Sequence, residues 1–360
     1  MSERAVPPAK PVALVLQGGG ALGAYEWGAV TRLVEEGFQP VAVTGVSIGA
    51  INAAAIAGAR GGDIAGSLKR LWQAITLPAL PFTPAFVQET LSALGNPNFY
   101  KLRTDLWALP SWTALCDIAP MQKTLAEICD FSQISNPAHM RFAVTATDVG
   151  TGSSVRFLNT RGAITPDHVL ASGALPPGFP MVIIEKRHYW DGGLFDNTPL
   201  NPLLELLTDE EVESLPIIVI NLFPSGQAEP IPTTLIEVKN RSVELAFENR
   251  FWENFGRHGD FRAYAAMLEA LNAAVPPTSP LRNDPEFLAL LRRRALRNLH
   301  IIPSDHAPMT GGMDFSATGV MHRYERGREG VDRYLKAGHF TRAKTERRPP
   351  PRDVPSPPDA

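Results

Sequence analysis

The sequence predicts a three-layer α/β/α fold around a central, mostly parallel sheet, followed by a C-terminal helical extension. Three observations predict it. Short, fully apolar β-type runs alternate with helical segments near the start of the chain, in the order strand–helix–strand–helix. The early strands run into glycine-bearing turns that open the next helix. At 360 residues, 44% hydrophobic and 20% charged, the chain is long enough and ordinary enough in composition to bury a substantial core.

The elements follow in order. Residues 1–10 are polar and proline-bearing, and are expected to be loose. Val12–Leu16 is apolar at every position, as a strand buried on both faces should be. Gly18-Gly19-Gly20 follows, and Leu22–Glu36 reads as a helix ending at Gly37, a residue suited to the left-handed position after a helix. Val41–Thr44 is a second strand, and a sharp turn at Gly45–Gly49 leads into the alanine-rich helix Ala50–Ala59. Residues 76–120 change texture. They are rich in Pro, Leu, Phe and Trp, with Phe82, Phe86, Phe99, Tyr100, Trp107 and Trp112, and read as an insertion. It is either a lid or lipid-facing surface, or a cover for the core.

Strands resume at Arg141–Thr147, Ser153–Phe157, Val182–Ile184, His188–Trp190 and Ile217–Leu222. A catalytic domain over 11–225 is therefore expected, with a mainly helical region at 226–340. Within that region Val243, Phe247, Phe251 and Phe255 recur at helical spacing inside Thr233–Val275. A helix over Asp284–Arg297, a short strand over Leu299–Ile302 and a helix from Phe315 to about Lys336 follow. This region is expected to cap a pocket, make a dimer or extend the scaffold. Residues 341–360, rich in proline and charge, are expected to be disordered.

Composition narrows the function. Lys+Arg is 34 and Asp+Glu is 37, a formal charge of −3 that gives no electrostatic reason to expect nucleic-acid binding. No apolar run approaches the roughly 18 residues of a membrane span, and the N-terminal run is shorter than a signal-peptide core of about 7–15 residues. A cytoplasmic, soluble chain is expected, with peripheral membrane contact left open. Cys116 and Cys129 read as free thiols, and no Cys/His spacing suggests a structural metal.

Two glycine motifs carry the chemistry. Gly18-Gly19-Gly20-Ala21-Leu22-Gly23 satisfies a dinucleotide-binding spacing, but the second strand ends in Val43-Thr44-Gly45, without the expected acid. What survives is a set of backbone N–H groups at a helix start, which favour negative charge. Gly45-Val46-Ser47-Ile48-Gly49 lies between strand and helix, the setting of a nucleophile elbow. Both turns sit at the carboxyl ends of strands expected to be neighbours, so Gly18, Gly19 and Gly20 can form an oxyanion hole facing Ser47. The serine needs a base. His258, His300, His306 and His322 have no distinguishing context, whereas Asp191-Gly192-Gly193 places a carboxylate directly after a β-type run. Asp-Gly-Gly is also a common turn. Asp196 reads as a cap for the helix after Pro199, and Asp148 as support for a nearby loop. Arg292-Arg293-Arg294 with Arg297 reads as a lipid-headgroup contact or, more plainly, a solvated helix face.

Taken together, Gly18-Gly19-Gly20-x-x-Gly23, Gly45-x-Ser47-x-Gly49 and Asp191-Gly192-Gly193, in that order, resemble the patatin-like phospholipases. Thr145-Ala146-Thr147-Asp148 with Thr151-Gly152, Ala171–Pro176 with Phe179-Pro180, and Asn197-x-Pro199 strengthen the likeness, which spans about residues 12–222. The resemblance implies a Ser47–Asp191 dyad without histidine, an oxyanion hole at Gly18, Gly19 and Gly20, an elbow flanked by Gly45 and Gly49, and neither metal nor other cofactor. It implies acyl transfer from lipid esters to serine, then hydrolysis. Three alternatives stand beside it. One is a soluble carboxylesterase or thioesterase using the same dyad, another a nucleotide-binding module using Gly18–Gly23, and the last a non-catalytic scaffold. A carboxylate of ordinary pKa, near ~3.9, is a weak base for a serine hydroxyl, so the dyad requires a dry environment around Asp191.

Overall fold

The first strand shows why the sheet lies in the middle of the molecule. In β1 (Lys10–Leu16), Val12, Leu14 and Leu16 pack into one buried cluster, and Ala13 and Val15 into another. A strand points successive side chains to opposite faces, so a run that is apolar throughout needs cover on both. The computed structural model describes residues 9–78, 95–223, 231–233, 238, 241, 242, 245, 261–304 and 312–340.

The other strands are β2 (Phe38–Gly45), β3 (Gly95–Asn96), β4 (Tyr100–Leu102), β5 (Cys116–Asp117), β6 (Arg141–Asp148), β7 (Ser154–Leu158), β8 (Val182–Ile184), β9 (Arg187–Asp191), β10 (Ile217–Asn221) and β11 (Leu299–Pro303). The main sheet has the order β11-β10-β1-β2-β6-β9-β8, with β7 also on β6. From β11 to β6 every pair is parallel, and β7, β8 and β9 pair antiparallel. β3, β4 and β5 form a separate small antiparallel sheet.

The helices are α1 (Gly23–Glu35), α2 (Ile48–Ala57), α3 (Ile64–Ile75), α4 (Ala119–Ile128), α5 (Phe131–Ile134), α6 (Pro166–Ser172), α7 (Leu200–Leu206), α8 (Asp209–Ser214), α9 (Phe261–Ala274), α10 (Pro285–Arg292) and α11 (Ala317–Lys336). α1 to α6 and α11 bury side chains in the larger cluster on one face, and α7 and α8 cover the other. This is the three-layer arrangement expected.

Differences from the expected elements have local causes. The helix expected from Leu22 begins as a 3-10 turn, Gly20–Leu22, before α1. The helix expected over Asp284–Arg297 divides into α10 and a 3-10 turn, Arg293–Asn298. α3 was not expected, although its buried Leu68, Leu71, Trp72 and Ile75 recur at helical spacing. Of the N-terminal ten residues only 9 and 10 are described, and Lys10 already belongs to β1. Val243, Phe247, Phe251, Phe255, Phe82, Phe86 and residues 341–360 lie outside the described residues; of the long helical pattern after Pro232, the described residues include α9 and the helical positions 238, 241, 242 and 245. Cys116 and Cys129 are free and buried.

The insertion divides in two. Phe99 and Tyr100 are buried against Phe179, and Phe99 also meets Phe315. For these rings the core-cover reading holds. Leu106, Trp107 and Leu109, in a 3-10 turn over Leu106–Ser111, are exposed.

The C-terminal elements build onto the same body. β11 extends the main sheet beside β10, and α11 lies against α1. The two helices approach closely because glycines face backbone. A Cβ on Gly28 would lie 1.9 Å from the Tyr324 carbonyl oxygen, and one on Gly327 2.0 Å from that of Tyr25. Arg32–Asp332 and Arg328–Glu35 ion pairs, both at 2.8 Å, fix the register at the rim.

Candidate active site

One strand sets the geometry. β6 pairs along one edge with β7. Its other edge is shared, first by β2 and then by β9. Gly45 of β2 lies opposite Val144, and Asp191 of β9 lies opposite Ala146. Two residues of strand separate these positions, about 7 Å. The chain leaving β2 and the last residue of β9 therefore meet at one point beyond the parallel strand ends, where ligand sites of open α/β sheets lie.

Ser47 occupies that turn. Its backbone has φ 55° and ψ −125°, outside the regions favoured by residues with a Cβ. Such strain costs roughly 1–3 kcal/mol and persists where the surroundings over-determine it. Here they do. The Ser47 N–H donates to the Ser172 carbonyl at 3.0 Å, and the Ser47 carbonyl accepts from Ala50 N–H at 3.0 Å. The elbow also closes tightly, because a Cβ on Gly45 would stand 2.2 Å from the Gly49 carbonyl oxygen and one on Gly49 2.5 Å from that of Leu16. Serine begins α2, where the helix dipole favours developing negative charge.

Asp191 closes the pair. Its carboxyl is buried, accepts a hydrogen bond from Gly193 N–H at 2.7 Å, and lies close enough to the Ser47 hydroxyl for that group to favour its charged form. Burial pushes its pKa up to about 7, against those two neighbours, which favour the charged form. Its backbone is pinned on both sides: Asp191 N–H donates to Ala174 O at 3.0 Å, and the Thr147 hydroxyl donates to Asp191 O at 2.9 Å. Among the described residues no histidine hydrogen-bonds to Ser47 or Asp191, and His258 and His306 lie outside them.

The glycine loop lies beside the serine. A Cβ on Gly18 would fall 2.9 Å from the Ser47 Cβ. Gly18 N–H donates to Asn197 Oδ1 at 3.0 Å, and Asn197 Nδ2 donates back to Gly18 O at 3.1 Å. That amide must release Gly18 N–H before it can serve an oxyanion. Ala21 N–H is held by Gly312 O at 2.8 Å. Among the described residues Gly19 and Gly20 N–H have no acceptor. Gly20 has φ +57°, and a Cβ there would be 2.1 Å from Gly312 O, so the loop requires glycine at this point.

Sequence reasoning missed a buried polar network beneath this loop. Glu26 accepts from Gln17 N–H at 2.7 Å and from Asn52 Nδ2 at 2.8 Å. Asn52 also donates to Gly23 O and accepts from Trp72 Nε1 at 2.9 Å. Gln17 Nε2 donates to the Thr198 hydroxyl at 2.6 Å. The base of the glycine loop, the serine helix and the segment after Asp191 are thereby tied together. Burial pushes the Glu26 pKa up to about 8, opposed by the Asn52 and Gln17 hydrogen bonds. The one available signal was a lone asparagine and a lone glutamate in otherwise small or apolar helical stretches.

Other expectations resolve plainly. Asp196 does not cap the following helix. It accepts from Thr198 N–H at 2.9 Å, and α7 starts after Pro199 with no side-chain cap. Asp148 does hold its loop, accepting from Thr151 N–H at 2.9 Å and pairing with Arg187 at 2.6 Å. Those contacts, Thr151 foremost, keep its pKa below the usual range. Arg292, Arg294 and Arg297 are engaged with Asp209, Glu213, Glu269 and the carbonyls of Leu207 and Leu291, so the basic run acts as scaffold.

The family model described as patatin-like phospholipase matches residues 14–204, more than half of the chain. VipD from Legionella pneumophila is 16% identical with a TM-score of 0.37, the match covering 91% of this chain and 67% of VipD. ExoU, in its heterodimeric complex with SpcU from the type III secretion system of Pseudomonas aeruginosa, is 14% identical with a TM-score of 0.34. That match covers 92% of this chain and 52% of the other, so the present chain spans about half of that relative's length. No curated protein matches. The glycine loop, the strained serine and its buried aspartate all fall inside the matched residues 14–204, and the chain belongs to the patatin-like phospholipase family.

Proposed function

We propose that the protein is a serine acyl hydrolase that cleaves lipid carboxylic esters through a Ser47–Asp191 dyad and an acyl-enzyme intermediate. Family membership implies lipid ester hydrolysis; the dyad and the residue roles are this proposal's own. The observation that carries it is a buried carboxyl, with its pKa raised to about 7, beside the hydroxyl of a serine in a strained elbow. A base poised near neutral pH is what an unaided serine needs.

The steps follow from the arrangement. Ser47 Oγ attacks the ester carbonyl carbon while its proton passes to Asp191. Charge develops on the carbonyl oxygen, where Gly19 and Gly20 N–H have no competing acceptor, and Gly18 N–H joins when Asn197 releases it. One such donor typically contributes about 2.7–4 kcal/mol. The tetrahedral intermediate collapses, and the departing alkoxide takes the proton from Asp191. Water then attacks the acyl-serine, giving its proton to Asp191, and the acid departs as Ser47 Oγ recovers a proton. Gly45 and Gly49 keep the elbow sharp. Residues 11–225 carry this machinery.

A fluorophosphonate probe read by intact-mass spectrometry tests the reading. An adduct on the wild type, mapped to Ser47 and absent from Ser47→Ala, is expected. Full labelling of Ser47→Ala, or normal turnover by it, refutes the nucleophile. A rate that rises sharply once the substrate forms micelles supports a lipid ester over a soluble one, and a smooth saturation curve favours the carboxylesterase alternative. The nucleotide reading is weakened because Gly18 and Ala21 N–H already have protein acceptors.

A further inference from the structure

We propose that the hairpin tip Leu106–Ser111 is a membrane-docking element that inserts into the surface of a zwitterionic phospholipid layer. The tip is an ordered structure. β4 and β5 form its stem, Arg103 N–H donates to Leu115 O at 3.0 Å above the ladder, and the turn over Leu106–Ser111 contains Pro110. On this stem Trp107 is 85% exposed, Leu106 69% and Leu109 55%, with Leu115 and Leu102 exposed below them. Large apolar side chains gathered on one projecting turn mark an interaction surface, and tryptophan suits a boundary that is apolar on one side and wet on the other.

Charge selects the occupant. The stem and tip, residues 101–117, carry two cations and two anions. These are engaged with one another: Lys101 pairs with Asp117 at 3.1 Å and Arg103 with Asp105 at 2.6 Å. The surface therefore has no unpaired basic cluster to seek anionic lipid, and its affinity must come from apolar burial. A layer with neutral headgroups fits it.

Position connects the tip to the serine. Leu115 N–H donates to Pro177 O at 3.0 Å and Cys116 N–H to Gly178 O at 2.9 Å. The same segment begins at Ser172, whose carbonyl holds Ser47 N–H. Ser172 to Pro177 is five residues, at most about 18 Å of chain. A docked tip is therefore tied, through this segment, to the turn that carries Ser47. What that tie means for turnover rests on the lipid-ester reading above; the docking itself does not.

The experiment uses full-length Ser47→Ala protein and sucrose-loaded phosphatidylcholine vesicles, read by co-sedimentation. The Ser47→Ala chain is expected to bind, and adding Trp107→Asp to weaken partitioning about tenfold or more. Leu109→Ser, a second variant in the same turn, is expected to weaken it in the same direction. Trp107→Leu keeps binding but loses quenching by brominated phosphatidylcholine. Equal binding by the Trp107→Asp variant, or binding that requires phosphatidylserine, overturns the proposal. So does a lipid-free dimer, seen by sedimentation equilibrium, that Trp107→Asp dissociates, because the tip would then be a contact between copies. In the otherwise wild-type chain, Trp107→Asp leaves turnover of soluble p-nitrophenyl butyrate unchanged and lowers turnover on vesicles. No turnover of either substrate by the wild type refutes the hydrolase reading and leaves the vesicle result standing.

Discussion

Two buried carboxyls, Asp191 and Glu26, govern how the protein responds to pH. A general base works only when deprotonated, so kcat/KM is expected to climb as pH rises through about 7, where Asp191 titrates. Asp191→Asn should lower kcat about 10²–10⁴-fold and remove that inflection, both read from a pH–rate profile. Stability runs the other way. Asp191 has its pKa raised from 3.8 to about 7 on folding, and Glu26 from 4.5 to about 8. The folded chain holds protons the unfolded chain releases, so the contribution is fully present below about pH 4 and lost as pH rises through 7 and then 8. Urea unfolding at pH 6 and pH 8.5 should show this loss, and it should be smaller in Glu26→Gln. At the elbow, Ser47→Gly relieves a positive φ, and should be about 1 kcal/mol more stable than Ser47→Ala, with both expected to be inactive. Ser47 and Asp191 were legible in the sequence because each stands among glycines directly after a β-type run. The Gln17–Glu26–Asn52–Trp72 network was not, because its partners come from four separate places and only the fold brings them together.

Among the elements, β6 acts as the gauge of the active site. It bears β2 and β9 along one edge, so main-chain hydrogen bonds set the distance from serine turn to aspartate. Shifting a strand by one residue turns its side chains to the opposite face. One residue inserted in the Glu185-Lys186 turn that joins β8 to β9 is absorbed by the turn and should leave activity intact. One inserted between Tyr189 and Trp190 should abolish probe labelling while circular dichroism stays near wild type. The strands of this frame were legible because runs buried on both faces are apolar throughout, as in Val12–Leu16 and Ile217–Ile220. Their order was less so: β6 and β9 are distant in sequence, and no local pattern states which edge a strand takes. The α1–α11 contact is a second element-scale device. Gly28→Val places a side chain against the Tyr324 carbonyl and should lower stability by about 1–3 kcal/mol in urea titration.

At the scale of the whole molecule, the C-terminal elements are bound into the body that carries the site. Removing residues 299–340 strips β11 from β10 and α11 from α1, leaving an open strand edge and an uncovered apolar helix face. Such a truncation is expected to be insoluble, whereas Arg328→Ala, which removes a rim ion pair with Glu35 and a contact with Tyr324, should shift stability by no more than about 1 kcal/mol. The bond from Ala21 N–H to Gly312 O has a further consequence for the order in which the site is finished. During synthesis, Ser47 and Asp191 leave the ribosome long before Gly312 exists. Domains assemble from the N-terminal end as the chain grows, and contacts between distant residues close late. A growing chain therefore holds Ser47 and Asp191, the proposed nucleophile and base, while the glycine loop beside them still lacks one of its anchors. On the proposed mechanism, competence is timed by the C-terminal half, and a nascent chain carries Ser47 and Asp191 before it carries a completed site.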